Sequence, residues 1–193
     1  MRCFLYKFKQ PNKSNMKFLR ILIGIIIVLA IIFFGGSLFL PKTYTVSRNT
    51  VIKAPDSTIY KNIADFNEFY KWNPWAKMEP SAKTKISGTV EQPDHLYEWE
   101  GKETGSGYMK IVKVEPNKMI DIELKFLKPM ESLADTRFDI EKSGDGNKVI
   151  WTMSGENTSA FSKWFGFLAM DKMIGKDFEN GLQYLKEKSE KVN

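Results

Sequence analysis

The chain predicts an α+β fold: a curved antiparallel sheet of about six or seven strands around one long C-terminal helix, preceded by one transmembrane helix. Three observations predict it. Residues 21–40 run twenty positions without a charge. Most of the stretch between that run and residue 161 alternates polar and apolar with the period of two that half-buried strands show. Residues 161–188 instead repeat apolar side chains at three- and four-residue steps, the period of a helix with one buried stripe.

Residues 1–20 carry Arg2, Lys7, Lys9, Lys13, Lys17 and Arg20 and no acid. Met16 is an alternative start, because Met16-Lys17-Phe18-Leu19-Arg20 makes an ordinary short basic lead. Twenty helical residues span about 30 Å, the hydrocarbon thickness of a bilayer. A cleaved signal peptide has an apolar region of roughly 7–15 residues and a small-residue cleavage site. The run at 21–40 is longer and no Ala-x-Ala comes after it, so it is expected to stay as an anchor. Bases stay on the cytoplasmic side. The expected organisation is therefore a basic cytoplasmic tail at 1–20, a membrane helix at 21–40 and an extracytoplasmic domain at 41–193. Pro41-Lys42 is expected to end the helix. Strand pattern resumes at Thr43 or Tyr44, and three extended residues reach only about 10 Å, which would hold the domain against the headgroups.

Lys and Arg total 29 against 23 Asp and Glu, a formal charge of +6. Six of those bases precede residue 21, leaving 23 bases against 23 acids in the remainder. The basic pI thus reports the tail, and the balanced domain argues against nucleic-acid binding, which needs a phosphate-neutralising patch. Cys3 is the only cysteine, so no intramolecular disulfide forms. It precedes the apolar run and so is not the lipidated cysteine that comes after a lipoprotein signal.

In chain order, residues 44–52 read as a first strand. Ala54-Pro55-Asp56 opens a helix with Pro near its first position, given an apolar face by Ile59, Tyr60 and Ile63. Residues 65–80 carry Phe66, Phe69, Tyr70, Trp72, Pro74 and Trp75, a short helix followed by an aromatic loop. Six strand candidates come next, at 83–90, 95–100, 107–114, 119–126, 133–141 and 148–155. In the fourth, Ile120, Ile122, Leu124 and Phe126 alternate with Asp121, Glu123 and Lys125. In the fifth, Ala134, Thr136, Phe138 and Ile140 face opposite to Asp135, Arg137, Asp139 and Glu141, and the outward set predicts a salt-bridge ladder. The turns carry Gln92-Pro93-Asp94, Gly101 to Gly105, Pro116-Asn117 and Gly144-Asp145-Gly146-Asn147. Such short links make successive strands antiparallel neighbours. The apolar sheet face must be covered, and only the C-terminal helix is long enough. Its stripe reads Met170, Met173, Ile174, Phe178, Leu182 and Leu185.

An ordered set of motifs adds to this reading: Val46-x-Arg48 leading to Ile52-x-Ala54-Pro55; Trp72-Asn73-Pro74-Trp75; Tyr97-x-Trp99-x-Gly101; Gly105-x-Gly107; Trp151-x-Met153-x-Gly155; and Met170-Asp171-x-Met173-Ile174-Gly175-Lys176-Asp177-Phe178-Glu179-x-Gly181-Leu182. Over residues 44–188 the chain resembles the SRPBCC superfamily, in its polyketide cyclase/dehydrase and lipid-transport branch, related to START domains. The resemblance implies a helix-grip fold with a hydrophobic cavity between sheet and long helix, used for lipids, sterols or polyketides. It implies no universal catalytic residues. The membrane helix departs from the plain soluble members.

The cavity candidates are Trp72, Trp75, Tyr97, Trp99, Met109, Phe126, Phe138, Trp151, Met170, Met173 and Phe178. Aromatic rings also fill ordinary cores, and methionines fill gaps as readily as they line adaptable pockets, so each has a plain packing role as its alternative. His95 is the only histidine and cannot build a usual zinc site alone. Alternation sets Glu98 and Glu100 on the opposite face, so a strand-edge or turn role is its default. Gly105-x-Gly107 opens a strand, not a helix, and lacks the third glycine of a dinucleotide fingerprint; a bulge or close backbone approach suits it better. Asp171 and Asp177 read as solvated or capping groups. Phe161, Trp164, Phe165, Phe167 and Leu168 either pack beneath the sheet or touch the membrane and gate the cavity. No catalytic residue, cofactor or metal is expected. The function expected is a membrane-anchored binding domain for a hydrophobic small molecule or lipid, with the bilayer and that ligand as partners. An alternative is a cyclase, dehydratase or hydrolase using Thr136, His95, Tyr97 and Tyr108. A second is a structural envelope domain with an empty, collapsed interior.

Overall fold

The computed structural model describes residues 13–191, so the expectations for Arg2, Cys3, Lys7 and Lys9 lie outside the described residues. The chain forms two compact units that part between Leu40 and Pro41.

In the first unit, α1 runs Lys13–Ser37. It begins before residue 21 and stops short of Pro41, unlike the sequence expectation. Met16, Lys17, Leu19 and Arg20 are good helix formers, so the helix continues through the basic lead. At the other end Gly35-Gly36 weakens the last turn. The chain leaves through turns closed by Leu38 N–H to Gly35 O, 3.2 Å, and Phe39 N–H to Gly36 O, 3.1 Å. Met16–Ser37 spans 22 residues and, among the described residues, is the one helix long and apolar enough to cross a membrane. Its length at the helical rise is about 33 Å.

The second unit is a seven-stranded, fully antiparallel curved sheet in the order β1-β7-β6-β5-β4-β3-β2. The strands are β1 Thr43–Ile52, β2 Lys83–Ser87, β3 Leu96–Glu100, β4 Ser106–Glu115, β5 Met119–Lys128, β6 Ser132–Ser143 and β7 Gly146–Glu156. From β2 to β7 each strand pairs with the next in sequence, as the short turns require. β1 then closes onto β7, Val46 opposite Met153 and Arg48 opposite Trp151.

Between β1 and β2 lie three short helices, α2 Asp56–Ala64, α3 Phe66–Trp72 and α4 Pro74–Met78. The expected aromatic loop is thus a further helical turn. Each break is marked by a side-chain cap. Asp65 accepts from Asn67 N–H at 2.9 Å, and Asn73 accepts from Trp75 N–H at 3.0 Å with Pro74 at the first position. After β7, Ser159 and Ser162 form a reciprocal capping box that starts α5, Ala160–Phe165. A π-helical turn, Gly166–Met170, leads into α6, Asp171–Glu190.

α6 packs along the concave face. Its buried stripe is Gly175, Phe178, Gly181, Leu182, Leu185 and Ser189. Two glycines bring the helix close to the sheet. A Cβ on Gly181 would meet the Trp151 ring at 2.7 Å, and one on Gly175 would run into the Arg48 guanidinium. Met173 is off the stripe at 57% exposure, a correction to the expected set. At about 100° per residue Met173 stands about 140° around α6 from Phe178, whereas the π turn adds a residue to the helical repeat and rotates what precedes α6. Arg48 reaches up beside Gly175 to pair with Asp171 through Nη1 at 2.9 Å and Nη2 at 3.1 Å, and with Glu179 through Nε at 2.8 Å. Asp171 is therefore an ion-pair partner and not merely a solvated cap.

On the convex face Arg137 donates to Asp139 and lies 3.6 Å from Asp121 across the strand, the expected ladder.

A cavity between the sheet and the C-terminal helix

The inner faces of the central strands divide into two ends. At one end Ile120 and Ile122 of β5, Ile111 of β4, Phe138 and Ile140 of β6 and Val149 of β7 are buried against α2 and α3, whose Ile59, Ile63, Phe66 and Phe69 are also buried. At the other, the same strands present Leu124 and Phe126, Met109, Thr136 and Met153 to a cavity of about 420 Å³. Its remaining walls come from α3 and α4 (Tyr70, Trp75, Met78), from β3 (Tyr97, Trp99) and from α6 (Met173, Ile174, Asp177, Phe178).

Trp151 is the partition between the ends. Its ring is stacked on Phe178, centroids 4.0 Å apart and 9° between planes, and on Phe138 at 4.8 Å. Its indole N–H donates to Thr136 Oγ1 at 2.9 Å, and that hydroxyl donates to Thr152 O at 3.3 Å. Trp75 stands edge-on to both Trp151 and Phe178. The slot for Trp99 is made by Gly107, where a Cβ would meet the indole at 2.6 Å. The strand register shifts between Ser106 and Gly107, and Gly105 takes φ +68°, so this glycine pair is the bulge and close approach anticipated for it.

Eight of the eleven sequence candidates line this cavity: Trp75, Tyr97, Trp99, Met109, Phe126, Trp151, Met173 and Phe178. Trp72 and Phe138 do not; both are buried in the filled end, edge to face at 6.2 Å, with the Trp72 indole donating to Asn62 O at 2.7 Å. Met170 lines a separate crevice of about 200 Å³ beside β1, with Tyr44, Val46 and Asn157.

Of the polar groups considered for chemistry, His95 is fully buried away from the cavity. Its Nε2 accepts from Phe66 N–H at 3.0 Å, which leaves Nδ1 to donate to Ser87 O at 2.9 Å. The ring stacks on Phe66 at 4.8 Å, so this histidine joins α3 to the β2–β3 connection. Tyr108 points to the convex face, where its hydroxyl donates to Glu123 at 3.0 Å. Thr136 and Tyr97 do line the cavity; burial pushes the Tyr97 phenol up to about 12. Among the described residues no group of three or more His, Cys, Asp or Glu is placed to hold a metal.

One structural feature of the cavity rim has no counterpart in the sequence expectations. Glu79, buried at the end of α4, accepts from the backbone N–H groups of Lys102 at 2.7 Å, Glu103 at 3.1 Å and Thr104 at 2.8 Å, and from the Thr104 hydroxyl at 2.8 Å. These donors, Thr104 and Lys102 foremost, hold its carboxyl down to about 2. The carboxylate clamps the β3–β4 turn to α4 at the cavity rim. A glutamate after a short helix carries no motif that would have announced this; Gly101, whose added Cβ would meet the Glu79 carboxyl carbon at 2.9 Å, was its only trace.

Comparisons with known proteins agree with this architecture. The chain is similar to the crystal structure of protein CV1439 from Chromobacterium violaceum, with TM-score 0.58 and 14% identity, covering 76% of this chain and 97% of that one. It is similar to the solution structure of the Aha1 dimer from Colwellia psychrerythraea, with TM-score 0.53 and 20% identity over 76% and 96% of the two chains. It is also similar to ginseng major latex-like protein 151 from Panax ginseng, with TM-score 0.55 and 9% identity over 77% and 99%. At these identities the likeness is one of fold. No curated protein matches the chain in sequence. The model of one family, described as polyketide cyclase / dehydrase and lipid transport, matches residues 43–190. That is the whole sheet and the whole of its covering helix, and the chain belongs to this family.

Proposed function

We propose that the protein is a membrane-anchored binding domain that holds a hydrophobic small molecule or lipid between its sheet and α6. One observation carries this reading: the interior beneath α6 is open. Its volume of about 420 Å³ falls within the roughly 300–1,000 Å³ of small-molecule sites, which are mostly apolar with a few placed polar groups. The aromatic and methionine walls supply that surface, and no nucleophile–base pair converges on it among the described residues.

The anchor is α1, with the tail bases on the cytoplasmic side and the second unit outside. Residues 38–42 separate α1 from β1, and five extended residues reach at most about 18 Å, so the domain works close to the headgroups. Phe161, Phe167 and Leu168, on α5 and the π turn, are 62%, 62% and 58% exposed. They form an apolar ridge suited to the bilayer interface, on the segment that leads directly into the α6 wall of the cavity.

The test is native mass spectrometry of the full chain, extracted in an uncharged detergent after incubation with a total lipid extract. A bound mass that survives delipidating washes is the expected result; bare protein throughout rejects the reading. Protease added to intact spheroplasts is expected to remove the domain, and protection of it inverts the topology. The double variant Phe161→Ala, Phe167→Ala is expected to slow ligand uptake from vesicles, and an unchanged rate removes the ridge from the account.

A further inference from the structure

The charges around the cavity are one-sided. Its lining includes three carboxylates, Glu79, Glu103 and Asp177, and among the described residues no Lys, Arg or His. Glu79 is fully committed to the turn it clamps. The other two differ: neither the Glu103 nor the Asp177 carboxylate accepts a hydrogen bond from any described residue. Asp177 lies one residue before Phe178, whose ring stacks on Trp151, and one turn after Met173, which is exposed. It therefore stands where the aromatic wall meets the opening. Lys77, the lysine of α4, places its ammonium over the Tyr184 ring, 3.4 Å from the centroid, and is outside the lining. Burial raises the Asp177 carboxyl above its usual range, against the opposing pull of Lys176, its exposed neighbour on α6, which lies outside the lining.

We infer that the cavity selects amphiphiles whose polar end is a cation, an amine or quaternary ammonium, with that end held by Asp177 and the tail among the aromatic walls. An ammonium is attracted both by a carboxylate and by the faces of aromatic rings. A carboxylate- or phosphate-ended ligand would bring a second negative charge beside Asp177 with no base in the lining to offset it, which costs affinity. This inference rests on the reading of the cavity as a hydrophobic binding site.

The experiment uses the full chain in maltoside micelles and follows quenching of its tryptophan fluorescence, since Trp75, Trp99 and Trp151 line the cavity. Three probes of equal tail length are compared: decyltrimethylammonium, decanol and decanoate. The ammonium is expected to bind about tenfold more tightly than decanol, and decanoate more weakly than either. Asp177→Asn is expected to remove the ammonium's advantage, leave decanol unchanged and improve decanoate. Unchanged decanol affinity also shows that the variant is folded. Equal or tighter binding of decanoate, or an equal loss for all three probes in Asp177→Asn, overturns the inference while leaving the binding-site reading in place. No binding of any probe overturns both.

Discussion

The two ends of the interior are lined by the same kinds of residue and finish differently. In the filled end, α2 and α3 descend onto the sheet, and Ile59, Ile63, Phe66 and Phe69 join Ile111, Ile120, Ile122 and Phe138 in one core, all of them fully buried or nearly so. In the open end, Leu124, Phe126, Met109 and Met153 continue along the same strands, but only the end of α3 at Tyr70, α4 and the first turns of α6 stand opposite. Hydrophobicity is not what separates core from pocket here. The number of covering elements is, and Trp151, clasped between Phe138 and Phe178, is the wall where the covering changes.

That contrast predicts unequal costs for equal truncations. Trp72→Ala and Phe138→Ala each remove a ring packed on all sides and should cost about 3–5 kcal/mol. Phe126→Ala and Leu124→Ala remove side chains that already face open volume, and should cost only about 1–2 kcal/mol because fewer contacts are lost. Urea midpoints of the four variants test this, and equal costs at both ends would dissolve the distinction.

Two glycines sharpen it. Gly107→Ala drives a methyl into the Lys125 carbonyl and the Trp99 ring. Neither can retreat easily, so overpacking of about 1–3 kcal/mol is expected. Gly175→Ala meets only the end of the Arg48 side chain, and the gain in helix propensity of up to about 1 kcal/mol should leave it near neutral. Thermal melts of the pair should separate them in that order.

Filling the open end should separate binding from stability. Leu124→Trp occupies the cavity and is expected to hold or raise stability by up to about 1 kcal/mol while ligand uptake falls at least about tenfold. A variant that keeps full uptake would mean that the ligand sits elsewhere.

The smallest effects concern two carboxylates. Glu68 clamps α3 to α6 through Lys188 at 2.7 Å, with Lys71 as its second partner, and is held at about 2. Glu79, also near 2, clamps the rim. Both are depressed below their ordinary value of 4.5. Their stabilising share is therefore complete above that value and is lost as pH falls from there through about 2. Glu79→Gln should remove the acid-side loss at the rim alone, seen as faster amide exchange at Lys102 and Thr104 at neutral pH, with the filled end unaffected. Unaltered exchange at those amides would deny the clamp.

Much of this was legible in the residues. Alternation told which side chains of β5, β6 and β7 face inward, because a half-buried strand leaves that signature residue by residue. The turns told the strand neighbours. What period two cannot tell is what stands opposite an inward residue. Phe138 and Phe126 are alike in sequence and equally good cavity candidates, yet only Phe126 lines the cavity. Trp72 failed for the same reason. Met170 lies outside the cavity because the π turn at Gly166–Met170 shifts the helical phase, and nothing in the apolar repeat marks such a shift; Met173, after that turn, sits exposed at the mouth because five residues of regular helix set it about 140° around α6 from Phe178. Arg48 with Asp171 and Glu179 was invisible because the partners are more than 120 positions apart and each reads as a surface charge on its own element. Glu79 was missed because its partners are backbone N–H groups, which every sequence contains.

The most direct test is methyl NMR of the full chain, labelled at its methionine Cε groups and titrated with decanol. The Met109 and Met153 methyls, which line the cavity, are expected to shift in proportion to occupancy while the buried Met119 methyl outside it stays in place. Saturating ligand that leaves Met109 and Met153 unmoved would contradict binding in the cavity.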